Sequence, residues 1–230
     1  MSTNLSGNTL TLNDTSINEE TLKAMGKYYI PDNCSAGDTV ILDGIECLCV
    51  ATGVTIQGSD LTRIAVDKNY DLGYYQKYVG VNINGVIIDT INTWIWGGYG
   101  TKLGNTSQGV GYGLQNTINC LANKVVYTNG TKTSTEGNYN RPFLWIGVND
   151  FRSSHSDKWF VPSANELKNY VYPYKSSLTF DTTTGGHSTG SFISSSENTA
   201  NSYYYVSFNT GGVVGFDKSS HQPVRLCRAF

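Results

Sequence analysis

Apolar residues in this chain come in short runs broken by turn residues, the pattern of a β-rich protein with few helices. Tyr28-Tyr29-Ile30-Pro31 leads to Asp38-Thr39-Val40-Ile41-Leu42. The tight-turn pair Asp43-Gly44 follows, and Ile45 to Val50 returns, so 39–50 is expected to form a hairpin. Leu61 to Val66 reads as a strand. Val79 to Ile91 holds Asn84-Gly85 between apolar runs and reads as a second hairpin. Residues 1–17 read as a polar arm, with a short helix at Asn18 to Met25 stopped by Gly26. Gly97, Gly98, Gly100, Gly104, Gly109, Gly111 and Gly113 mark 97–113 as a loop.

Two segments carry helical spacing. Leu114, Ile118, Leu121, Ala122 and Val125 recur at helical intervals. A second helix opens at Pro162-Ser163-Ala164-Asn165-Glu166, where Ser163 and Glu166 have the spacing of a capping box. Leu167, Tyr170 and Val171 share its face, and Pro173 is expected to end it. Arg141 to Val148, with Trp145, reads as an apolar strand or buried loop. After residue 178 the pattern is strands and loops. Tyr203 to Phe208 alternates, with Val206 and Phe208 on one side and Tyr205 and Ser207 on the other. Val224 to Phe230 is a final strand. Two helices among antiparallel strands predict an α+β fold.

Composition narrows the function classes. Charged residues are only 15% of the 230, replaced by 25 Gly, 16 Tyr and many neutral polar side chains, while net charge is −2. No basic stripe is present to hold a phosphate backbone, which argues against nucleic acid as a partner. No run of 18 apolar residues is present to span a membrane. Met1 to Leu12 is polar and uncharged, unlike a secretory signal, and points to a chain that begins in the cytosol. Cys34, Cys47, Cys49, Cys120 and Cys227 are odd in number and lack metal-site spacing, so they read as reduced core residues.

Catalytic signals are weak. Gly186-His187-Ser188-Thr189-Gly190 matches a nucleophile-elbow pattern, but the residues before it read as loop and Phe192-Ile193 after it as strand, where that chemistry needs strand then helix. His155, His187 and His221 are scattered and read as surface residues. No cofactor is expected, and calcium held by loop oxygens is the one metal the residue types would allow. Trp94, Trp96 and Trp159 are candidates for stacking on sugars, with a core role expected for at least two.

Residues 198–222 stand out, since 13 of these 25 are Asn, Ser, Tyr or Gly. Antibody loops favour the same set: Tyr gives contact area at low entropy cost, and the small polar residues adapt their hydrogen bonds. Three stretches carry a resemblance. Asp157-Lys158-Trp159-Phe160-Val161-Pro162-Ser163-Ala164-Asn165-Glu166-Leu167, Ser194-Ser195-Ser196-Glu197, and Asp217-Lys218 with Val224-Arg225-Leu226-Cys227-Arg228-Ala229-Phe230 resemble signatures of C-type-lectin folds of the formylglycine-generating-enzyme subtype. Val66 to Leu72 is similar to a segment upstream in gut-phage and gut-bacterial members, so the likeness spans about 60–230. Phe192-Ile193 stands where the family carries a Trp, and Cys227 where it carries a second Val.

Within that family the chain resembles the variable proteins of diversity-generating retroelements, which mutate template adenines, chiefly in AAC codons near the gene's end. Changing the two adenines of AAC cannot yield Trp, Met, Glu, Gln or Lys, and in 198–222 only Lys218 and Gln222 lie outside the reachable set. The resemblance implies Lys218 as a fixed position and Val206, Phe208, Gly211 and Val213 as scaffold. It implies ligand-binding positions at Tyr203, Tyr205, Ser207, Thr210, Gly212, Val214, Gly215, Phe216, Asp217, Ser219, Ser220 and His221. The expected organisation is a β-rich docking or oligomerisation region over 1–60 and a C-type-lectin-like binding domain over 61–230. The expected function is non-catalytic binding of a host-surface protein or glycan from a phage tail, in a virion assembled in the cytoplasm with other virion proteins and as a homotrimer. The alternative is a structural virion or surface subunit with a fixed ligand. The formylglycine-generating enzymes use a reactive cysteine pair near the C-terminus, and here Cys227 stands alone.

Overall fold

A computed structural model describes the backbone of residues 3–6, 9–12, 15–18, 82–83 and 86–87, and backbone and side chains of 28–68, 94–123, 126, 143–179 and 190–230. The fold is α+β. Its centre is an antiparallel sheet of six strands, ordered β11-β16-β7-β6-β5-β4. These are β4 (Tyr28–Tyr29), β5 (Thr39–Leu42), β6 (Ile45–Ala51), β7 (Ile64–Asp67), β11 (Trp159–Phe160) and β16 (Cys227–Ala229).

The predicted 39–50 hairpin is β5–β6. Asp43 (φ 54°) and Gly44 (φ 82°) both take left-handed backbone, as the tightest two-residue hairpin turn requires, and Leu42 faces Ile45 across it. The turn is tied to the far end of the chain: Arg228 Nε donates to Asp43 Oδ2 at 2.6 Å, and Trp159 Nε1 donates to the same oxygen at 2.8 Å. Strands β4, β5 and β6 are therefore part of the same sheet as the C-terminal strand. A division at residue 60 falls between β6 and β7, which pair from Cys47↔Asp67 to Ala51↔Ile64.

Side chains alternate across this sheet into two cores. Val40, Cys47, Cys49 and Ala65 pack with Trp94, Trp96, Trp145 and Phe151 on one face. Leu48, Val50, Ile64 and Val66 pack with Leu114, Phe160, Leu167 and Phe208 on the other. Covering both faces explains why β6 and β7, apart from Glu46 and Asp67, are apolar throughout, without the polar alternation of a half-exposed strand.

The N-terminal segment differs from a polar arm. β1 (Thr3–Ser6), β2 (Thr9–Leu12) and β3 (Thr15–Asn18) form a separate antiparallel sheet in that order. Their threonines are β-branched and suit extended backbone. Asn18, the first residue of the expected helix, ends β3; residues 19–25 lie outside the described residues. β8 (Asn82–Ile83) and β9 (Val86–Ile87) pair through Asn82↔Ile87 and Ile83↔Val86, and Asn84-Gly85, the expected turn, lies outside the described residues.

Three helices are present among the described residues where two were expected. In α1 (Gly113–Ala122) the buried residues are Gly113, Leu114, Asn116, Thr117 and Cys120, while Ile118 is exposed, so the helix is rotated from its apolar count. The buried polar side chains explain the rotation: Thr117 Oγ1 accepts from Val161 N at 3.0 Å and Asn116 Nδ2 donates to Ser107 O at 2.6 Å. The 141–148 segment is a correction, since Leu144–Ser154 is helix α2 and buries Leu144, Trp145, Gly147, Val148 and Phe151. α3 (Ala164–Glu166) starts on the expected capping box, with Ser163 and Glu166 each accepting from the other's N–H. Pro173 does not end it. The chain continues through a wider π turn, Leu167–Val171, into a 3₁₀ segment, Tyr172–Ser177, with Pro173 in its first turn, where the fixed φ of proline suits helical backbone.

β12 (Ser191–Glu197), β13 (Ser202–Ser207) and β14 (Val213–Asp217) form a second sheet with β14 at its edge. β10 (Trp94–Ile95) pairs with β15 (His221–Gln222) and fastens the chain after β14 to the core. The expected final strand is shorter, β16 alone. Among the described residues no helix is long and apolar enough to cross a membrane.

Candidate functional site

On β13 the two-residue period puts Tyr203, Tyr205 and Ser207 on one face, and their cross-strand partners Phe216 and Val214 on β14 share it. Exposure along this face is graded. Tyr203 is fully buried, Tyr205, Ser207 and Phe216 are half-buried, and Val214 is 46% exposed. Tyr203 stacks on Trp96 at 6.1 Å and 8°. The Phe216 ring meets Tyr203 edge-on at 6.1 Å and Tyr205 edge-on at 5.2 Å. Edge-to-face packing of this kind fixes ring orientation as well as burying area. Tyr203 thus supports the face from beneath and offers a ligand no surface. Burial pushes its hydroxyl well above the usual tyrosine range.

The opposite face of the same sheet carries Val206 and Phe208, both buried, with Phe208 against Phe192 at 4.6 Å and Tyr172 at 5.7 Å. Gly211 is buried at φ 72° with the Tyr172 ring where a Cβ would stand, so this turn accepts only glycine without rearrangement. Val213 is half-buried. Thr210 is exposed and Gly212 half-buried in the β13–β14 turn, where Thr210 Oγ1 accepts from Gly212 N at 3.2 Å. Gly215 is exposed beside Asn198.

Beyond β14 the predicted positions separate. Asp217 Oδ1 accepts from Ser219 N at 2.8 Å and Ser219 Oγ at 2.7 Å, which folds the carboxylate into its own turn. Ser219 is buried, and Ser220 and His221 are half-buried. The structure thus brings Tyr205, Ser207, Val214 and Phe216 together on one partly exposed face and places Thr210 and Gly212 at one end of the hairpin. Tyr203 and Ser219 lie in the interior.

Under this sheet lies an ion pair that residue patterns alone do not reveal. Lys218 Nζ stands 2.5 Å from Glu197 Oε1, with the two side chains 0% and 2% exposed. Lys218 also donates to Thr101 O at 2.8 Å and lies 4.9 Å over the Trp96 ring. Glu197 accepts from Leu103 N at 2.8 Å and Gly104 N at 2.9 Å. Burial pulls the Lys218 ammonium below its ordinary range, opposed by Glu197. The pair ties the glycine-rich loop to the sheet, helped by Gly97 N to Lys218 O at 3.0 Å and Gly100 N to Ala200 O at 3.0 Å. The exposed residues Gly100, Thr101 and Lys102 therefore border the β13–β14 surface.

A second buried carboxylate holds the far end of that loop. Glu166 accepts from Ser163 N at 2.7 Å, Gly111 N at 2.9 Å and Gly113 N at 3.3 Å. Burial raises its carboxyl to about 7, against the lowering effect of those donors.

Among the described residues, no catalytic constellation of His, Ser and carboxylate side chains is brought together. All five cysteines are buried free thiols, with burial pushing each above its ordinary range. Of the Gly186–Gly190 motif only Gly190 is among the described residues, and His187 is outside them. His155 is exposed and stacks on Phe151 at 4.2 Å. Trp94, Trp96 and Trp159 are fully buried. No group of three His, Cys, Asp or Glu able to hold a metal occurs among the described residues. Fold and site together define an α+β protein with a partly exposed sheet face on an aromatic and ionic support. No protein-family model matches the chain, and neither does any curated protein.

Proposed function

We propose that this chain is a non-catalytic ligand- or receptor-binding protein of the C-type-lectin kind, with a C-terminal surface diversified by a retroelement and displayed on a phage tail. The observation that carries the reading is the grading of the β13–β14 face. Half-buried and exposed side chains of the Tyr-rich segment stand on a base of Trp96, Tyr203 and the Lys218–Glu197 pair. Such a base lets outer side chains change while the backbone holds its place, as a diversified binding surface needs. Tyr205, Ser207, Thr210, Gly212, Val214, Phe216, Ser220 and His221 are the positions offered to a host-surface protein or glycan, and loop 100–102 flanks them.

The test is saturable binding of labelled protein to cells of bacterial strains from the source community, for the native chain and a Tyr205→Ser/Val214→Ser/His221→Ser triple variant. The expected result is at least tenfold weaker binding by the variant with an unchanged circular-dichroism spectrum. Binding that survives the triple change would favour a fixed ligand elsewhere on the molecule.

A further inference from the structure

The turn before β5 is drawn onto the middle of β6 by two backbone hydrogen bonds to one residue. Gly37 N donates to Cys49 O and Cys49 N donates to Asp38 O, both at 2.8 Å. Within that turn Cys34 N donates to Pro31 O at 3.1 Å and Asp38 N to Ser35 O at 3.1 Å. This bonding folds Cys34 back over Cys49. Both belong to the same buried cluster, close enough for each thiol to shift the other's ionisation. The other thiols are placed differently. Cys47 and Cys227 lie in the cores on opposite faces of the sheet, so the sheet itself separates them. Cys120 sits on α1.

We infer that Cys34 and Cys49 are a disulfide-forming pair, oxidised by thiol–disulfide exchange with a small-molecule disulfide of the glutathione class. Cys34 is the entry point. At 6% exposure it is the only one of the five cysteines with any measurable surface, the others being at 0%. Burial raises the Cys34 thiol above its ordinary range, offset in part by Cys49 and the Arg63 guanidinium, while burial pushes Cys49 up to about 12. The Cys34 thiolate attacks one sulfur of the small disulfide, forming a mixed disulfide and releasing one small thiolate. The Cys49 thiolate then attacks the Cys34 sulfur and releases the second. Two protein thiols lose two protons and two electrons in all, and one small disulfide is reduced to two thiols. The bridge would close the loop from 34 to 49 and lock the outer edge of the central sheet.

The experiment treats the full native chain with oxidised glutathione and counts free thiols after denaturation. The expected count falls from five to three, the protein loses the mass of two hydrogen atoms, and dithiothreitol reverses both. Trypsin leaves Cys34, Cys47 and Cys49 in one peptide, because no Lys or Arg lies between Lys27 and Arg63. Further cleavage after Glu46 should leave two fragments joined only by the bridge. Cys47→Ser should still form it, and Cys34→Ser and Cys49→Ser should not. Closing a loop of this length raises Tm by about 6–12 °C for a chain of this size. Five free thiols after treatment of the folded native chain overturn the inference. So does a glutathione adduct that never resolves, or a bridge that persists in Cys49→Ser.

Discussion

Lys218 and Glu197 form a charge pair with almost no access to water, and each has further hydrogen bonds that a small replacement would strand. Removing one partner of such a pair leaves the other charge buried and uncompensated. Lys218→Ala should therefore cost about 3–5 kcal/mol in urea unfolding. Glu166 makes a prediction in pH. Its folded carboxyl keeps a proton to about pH 7, whereas an unfolded glutamate loses it near 4.5. Between those values the folded state holds the extra proton, so this group's contribution to stability is fullest below about pH 4.5. It declines as pH rises towards 7 and is flat above. Urea midpoints from pH 4 to 8 should show that decline in the native chain, and Glu166→Gln should remove this part of it. The two carboxylates also show what a sequence makes legible. The capping role of Glu166 is visible because Ser163 stands three residues before it. Its hold on Gly111 and Gly113 joins residues more than fifty positions apart, and no local pattern signals that.

At the level of elements, the alternation in 203–208 correctly separates Val206 and Phe208 from Tyr205 and Ser207. It cannot say that the Tyr203 end of the outer face is covered, because the cover over Tyr203 is Trp96, more than a hundred residues earlier. Tyr203→Ser should cost about 3–5 kcal/mol, as for other large buried aromatics cut to a small residue. Val214→Ser on the same face should stay within about 0.5 kcal/mol. Comparable losses for both in urea unfolding would mean the face is structural throughout. Helix α2 is hidden in the sequence for a related reason. Read only to Val148, the run Phe143-Leu144-Trp145-Ile146 is too densely apolar to show a period. Adding Phe151 exposes the helical spacing of Leu144, Val148 and Phe151. In α1 the buried face includes Asn116 and Thr117, so counting only apolar positions turned the helix the wrong way.

For the whole molecule, the Asp43-Gly44 hairpin was legible because its turn chemistry is local. Its place in the architecture was not, since strand order depends on pairing between β7 and the chain's last strand. That pairing merges residues 28–60 with the C-terminal half and gives the β13–β14 surface a support drawn from nearly the full described length. We propose that this surface varies over a constant base. Its most direct test is sequencing the 3′ end of the gene and its neighbourhood across a population of the source. The expected result is changes confined to adenine-derived codon positions, concentrated at Tyr205, Ser207, Thr210, Val214 and Phe216. Trp96, Glu197, Val206, Phe208 and Lys218 should stay constant, with a template copy and a reverse-transcriptase gene nearby. An invariant 3′ end without those neighbours, or changes spread equally over buried and exposed codons, would contradict it.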